Sequence, residues 1–172
     1  MSAGPLARMA AAAIAIASVA LVALAFVEAW QVFARYVLDS PPGWTEPVAL
    51  LCLKTAAMFG AAAAVRNDAH FRIVLGLDAA GPRVRAALEA LAQLTAVALG
   101  LALAIWGAQM TIANWAVKAP GAPLPYGVYF APFVVGGLLI TTFAGERLAL
   151  ARRKPTRAQP SAMAGSTAAG AE

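Results

Sequence analysis

The feature that most constrains this chain is where it carries no charge. From Met9 to Val27 (19 residues), Ala90 to Val117 (28) and Ala119 to Gly145 (27), no Asp, Glu, Lys or Arg occurs. A helix rises about 1.5 Å per residue and needs about 20 apolar residues to cross a ~30 Å hydrocarbon layer. Each stretch is therefore long enough to span a bilayer. A fourth, Thr45 to Val65, is apolar apart from Lys54. Only 12% of the 172 residues are charged, against about 25% in a soluble domain, and mean hydropathy is +0.74. These gaps predict an all-α membrane protein, a four-transmembrane-helix bundle with spans at roughly 9–34, 45–65, 87–113 and 125–146. Residues 1–151 are expected to form a single membrane domain. Residues 152–172, first basic and then low in complexity, are expected to be a disordered cytoplasmic tail.

Local signals support these boundaries. The run Ser40-Pro41-Pro42-Gly43 reads as a tight turn, and Thr45-Glu46-Pro47 as an N-cap followed by an acid and a proline in the first helical turn. Gly81-Pro82 opens the third helix. The segment 119–125, with three prolines, must be a non-helical connection. The N-terminal stretch has the basic start of a secretory signal, but its apolar run of 19 residues exceeds the usual h-region of about 7–15, so an uncleaved anchor is expected.

The remaining charges orient the spans. Of 13 Lys and Arg residues, ten fall at Arg8, in 66–85 or from Arg147 onward, while Arg35 and Lys118 lie in the other connections. The positive-inside rule then places both termini and the 66–86 loop in the cytoplasm. All four Trp (30, 44, 106, 115) and all three Tyr (36, 126, 129) gather toward the opposite, outward ends. Such rings settle at membrane interfaces; the lopsided distribution also suits docking of a soluble partner. The loop between the second and third spans places Phe71, Val74 and Leu75 at helical spacing among His70, Arg72 and Asp78, which predicts a short interfacial helix lying against lipid.

Several function classes are excluded by what is scarce. One Cys (Cys52) and one His (His70) leave no disulfide framework, no multi-ligand zinc site and no Cys/His catalytic pair. The net charge of +5 reflects loop lysines and arginines rather than a nucleic-acid surface. No catalytic residue, cofactor or metal is expected. Glu28 and Lys54 are the two ionisable groups deepest in the spans. They lie about 12 and 13 Å from the outward ends of adjacent helices, matching depths. They are candidates for an internal ion pair, for contacts with a partner subunit, or, in the case of Glu28, for handling a proton or substrate. Gly60 to Ala64, Gly100, Gly136 and Gly137 supply small residues for close helix approach. Pro132 alone interrupts a span.

The run from Val32 to Ile73 closely resembles the small permease, or Q subunit, of tripartite ATP-independent periplasmic (TRAP) transporters. The matching pieces are Phe33, Arg35 and Tyr36 at the end of the first helix, and Trp44, Thr45 and Glu46 at the start of the second. Gly60 and Ala61 follow, and then Ala64, Arg66, His70 and Arg72. The segment 124–137, with Pro125, Pro132 and Gly136, is similar to the family's fourth helix. Pro47 and Asp68 depart from the family's usual acid and glycine at those places. The resemblance implies a multi-pass subunit of the bacterial inner membrane. Its partners would be a large permease, which takes up a small, dicarboxylate-like organic acid with sodium, a periplasmic substrate-binding protein, and membrane lipid. It marks Arg35, Trp44, Glu46, Arg66, His70 and Arg72 as family-signature residues and partner-interface candidates. The rival reading is a small four-helix proton-coupled exporter using Glu28; such chains are shorter, and Glu28 lies off-centre. A membrane enzyme would need paired acids or His clusters that this chain lacks.

Overall fold

In hydrocarbon a backbone N–H or C=O has no water to bond, so an apolar run of this length must satisfy its polar groups internally, as a helix does. The computed structural model describes residues 5–40, 42–67 and 82–153, and there each charge-free stretch supplies most of a long helix. Helix α1 runs Pro5–Tyr36, α2 Thr45–Asn67, α3 Pro82–Ala113 and α4 Ala131–Arg153, the last preceded by a 3-10 turn at Tyr126–Phe130. The described residues contain no strand. An isolated antiparallel bridge between Lys118 and Pro125 closes the proline-rich connection, with Ala119 N–H donating to Leu124 C=O at 2.9 Å and Tyr126 N–H to Val117 C=O at 2.7 Å.

Segments long and apolar enough to cross a membrane cover Leu6–Tyr36, Thr45–Arg66, Ala87–Ala113 and Tyr126–Leu150. They match the four expected spans and differ by up to a few residues at the ends, because hydrogen-bonded turns continue past the point where apolar residues stop. The expected interfacial helix, with His70 and Arg72, and residues 154–172 of the expected tail lie outside the described residues; Arg152 and Arg153 still belong to α4.

Two local expectations are corrected. The Thr45 side chain does not accept a bond from the first turn of α2. Buried to 1% exposure, its hydroxyl donates to the Pro42 carbonyl at 2.8 Å, tying the helix to the preceding turn. Pro132 does not interrupt a helix interior: it is the second residue of α4, where a missing N–H breaks no helical bond. The 3-10 turn carries the span across that point.

The helices pack in the spatial order α1, α2, α4, α3. The core lies on α2 and α4, where Met58, Ala62, Ile140 and Phe143 are buried together with Ala10 of α1. Large apolar side chains face outward along the rest, Phe26 and Ile112 among them, as lipid-facing helices require. Glycine sets the spacing of α4 against α3, through Gly137, and against α2, through Gly136. A Cβ on Gly137 would sit 2.6 Å from the Gly100 carbonyl oxygen and 2.7 Å from the Ala104 nitrogen, and one on Gly136 would sit 2.7 Å from Met58 Cβ. Gly60 has open space before it, so among the described residues it makes no close contact of the kind the Gly60–Ala64 step was expected to serve.

Both proline-rich connections meet at one end of the bundle. Gly121 has φ +77°, and a Cβ there would fall 2.2 Å from the Gly43 carbonyl oxygen. That approach allows no side chain and needs a backbone that other residues rarely adopt.

Candidate functional site

The spans hold few polar groups, and most are spoken for. Thr55, Thr111 and Thr141 each donate their hydroxyl to the carbonyl four residues back, at 2.8, 2.7 and 2.9 Å. Such bonds engage each hydroxyl's proton inside its own helix. Among the described residues no three His, Cys, Asp or Glu side chains gather as metal ligands would. What remains for function are three charged groupings at different heights along the bundle.

The first is a groove of about 300 Å³ between α1 and α2, toward their joined end. Glu28, Gln31 and Arg35 project along one face of α1 at i, i+3 and i+7, with Leu24 below them. Across the groove α2 contributes Glu46, Ala49, Leu50 and Leu53, again at helical spacing. The groove thus brings together Arg35 and Glu46, two of the signature residues, with Glu28. Glu28, Arg35 and Glu46 are all exposed. Trp44, one residue before α2, is 44% exposed.

The second grouping is centred on Lys54. Its ammonium does not reach Glu28, and the internal ion pair weighed from sequence is not formed. The reason is angular. Leu53 faces the groove, and the next residue is rotated by about 100° around the helix. Lys54 therefore turns toward the start of α4, where its Nζ lies 5.2 Å from the ring centre of Phe130, 5.7 Å from Tyr129 and 6.0 Å from Phe133. Equal depth did not mean a shared face. Tyr129 is 3% exposed, and its hydroxyl has no hydrogen-bond partner among the described residues. Tyr126 lies beside it, the two rings tilted by 40° with centres 5.5 Å apart, and meets Phe130 edge-on at 5.8 Å.

The third lies at the opposite, basic end. Arg66 pairs with Glu146 at 3.4 Å and sits 5.4 Å from the ring centre of Phe143. Arg147 donates to the Arg66 carbonyl, supplying a partner to one of the acceptors left open at the end of α2. Of the signature residues, Arg66 is thus a helix-to-helix tie, while His70 and Arg72 lie outside the described residues. Sequence reasoning missed Gln31, Glu146, Arg147 and the rings around Lys54. The available signal for Glu146 was its position: both it and Arg66 lie about twenty residues beyond the start of their spans, on helices that run the same way.

The sequence pattern of the family described as tripartite ATP-independent periplasmic transporters, DctQ component, matches residues 24–154 of the 172. The chain belongs to this family. It is a DctQ component, a small permease component of a TRAP transporter and not an enzyme. The matched region takes in the groove, the Lys54 rings and the Arg66–Glu146 tie, and begins within α1 at Leu24, the first residue of the groove. Comparison with curated proteins gave no match. A DctQ component is one part of a tripartite system, so a large permease and a periplasmic binding protein are implied as its partners.

Proposed function

We propose that this DctQ component is an accessory subunit that braces the large permease during sodium-coupled uptake of a small, dicarboxylate-like organic acid. In this reading it sits in the bacterial inner membrane with both termini cytoplasmic. Its aromatic, proline-rich end faces the periplasm and meets the loaded binding protein. The family match over residues 24–154 carries the reading. Two further features support it. The hydroxyls of Thr55, Thr111 and Thr141 are bonded to their own helices, as suits a part that carries no substrate itself. Of the two charges deepest in the spans, Glu28 is exposed and Lys54 half-buried, as suits contact with a neighbour.

The test is copurification. When this chain is tagged and coexpressed with the large permease encoded beside it, the two are expected to leave the membrane as a stable one-to-one complex. A homodimer that exports cationic compounds in exchange for protons, with activity lost in Glu28→Gln, would overturn the subunit reading in favour of an exporter.

A further inference from the structure

The subunit reading gives Lys54 a neighbour but no defined partner group, and its surroundings define one. Lys54 lies nine residues into α2, about 13 Å along the helix from Thr45. Three aromatic rings surround its ammonium at 5.2, 5.7 and 6.0 Å. Ring faces attract a cation without neutralising it, and they accept none of its three N–H groups in a full hydrogen bond. Among the described residues no carboxylate pairs with it; the ion pair seen there joins Arg66 to Glu146. Lys54 is half-buried, so part of the residue is open to a neighbour outside the chain.

The counter-ion must come from somewhere at the same depth. A lysine side chain reaches roughly 6 Å, too short to bring its head from this depth to the phosphate layer of a ~30 Å hydrocarbon core. The head is in any case folded onto the rings. Ions in the spans are matched by ions or polar groups of neighbouring helices. We propose, resting on the subunit reading, that Lys54 and the rings of Tyr129, Phe130 and Phe133 form a socket for an acidic side chain on a spanning helix of the large permease.

Zero-length cross-linking tests this in membranes holding both coexpressed subunits. Dicyclohexylcarbodiimide activates a carboxylate buried in hydrocarbon; a lysine amine in contact attacks the activated carbonyl carbon. An amide bond forms, and one carboxylate oxygen leaves in dicyclohexylurea. The expected product is a species of the summed mass, mapped by mass spectrometry to Lys54 and one Asp or Glu of the large permease. Lys54→Arg should abolish the cross-link yet keep the complex, because the charge remains while the amine is gone. Lys54→Met should lower complex yield at least tenfold relative to Lys54→Arg, with the two variants equal in membrane level and melting temperature when expressed alone.

A Lys54 amide to Glu28, or to any acid of this chain or a second copy, would overturn the proposal. So would a Lys54→Met complex as abundant as the wild type, including one that assembles normally but shows a raised KM for the organic acid, which would assign the socket to free carboxylate. If the wild-type subunits fail to copurify, the subunit reading itself falls. If they copurify without a Lys54-dependent cross-link, only the socket does.

Discussion

The α3–α4 seam makes a quantitative prediction about Gly137. A Cβ there would meet the Gly100 carbonyl oxygen at 2.6 Å and the Ala104 nitrogen at 2.7 Å, short of the 3.4 Å of ordinary contact by roughly 0.8 Å. Both obstacles are backbone atoms, so no side chain can rotate away, and the helices must separate. Forcing one extra methyl into a closed seam costs about 1–3 kcal/mol. Replacing glycine by alanine in a helix returns roughly 0.8–1 kcal/mol of propensity. Gly145 lies in the same helix with nothing within 4 Å of its Cβ position, so Gly145→Ala takes the propensity gain alone. The difference between Gly137→Ala and Gly145→Ala isolates the clash. It should amount to about 1–3 kcal/mol, or a melting-temperature gap of roughly 2–12 °C for a chain of this size. Intrinsic tryptophan fluorescence of the purified chain in detergent reads it directly. Equal melting temperatures would refute the claim that backbone contact at these glycines sets the helix spacing.

Gly121→Ala should lower the melting temperature sharply, because it combines a φ of +77° with a Cβ 2.2 Å from the Gly43 carbonyl oxygen; Gly43→Ala, whose Cβ meets only Gly121 Cα at 3.7 Å, should be tolerated. At the basic end, Glu146→Arg should destabilise the detergent-solubilised chain modestly. The swap Arg66→Glu with Glu146→Arg should recover most of the loss, which is limited to about 1 kcal/mol because both side chains are partly exposed. For orientation, single cysteines at Asp39 or Lys118 in a Cys52→Ala background should react with a membrane-impermeant maleimide added to intact spheroplasts. One at Arg8 should react only after lysis, and the reverse pattern would invert the proposed topology.

Depth along the spans was legible in the sequence because it follows from counting residues at 1.5 Å each. The four spans, the helical start at Pro82 and the sorting of charge to one end all depend on that single coordinate. Azimuth was not legible. Glu28 and Lys54 share a depth, but whether they share a face depends on how α1 and α4 are placed around α2, which comes from packing. The glycines show the same division. Their number foretold close packing, yet only the assembled helices distinguish Gly137, pressed against Gly100, from Gly60, which faces open space. Thr45 was found, but not the direction of its bond, since a hydroxyl that can cap a helix can equally donate to the turn before it.

The most direct test of the account is uptake itself. The large permease, the loaded binding protein and a sodium gradient are combined in proteoliposomes, with and without this chain, and accumulation of labelled organic acid is followed. Sodium-dependent uptake is predicted only when the chain is present, and adding it alone to liposomes should transport nothing. Undiminished uptake in its absence would contradict the account.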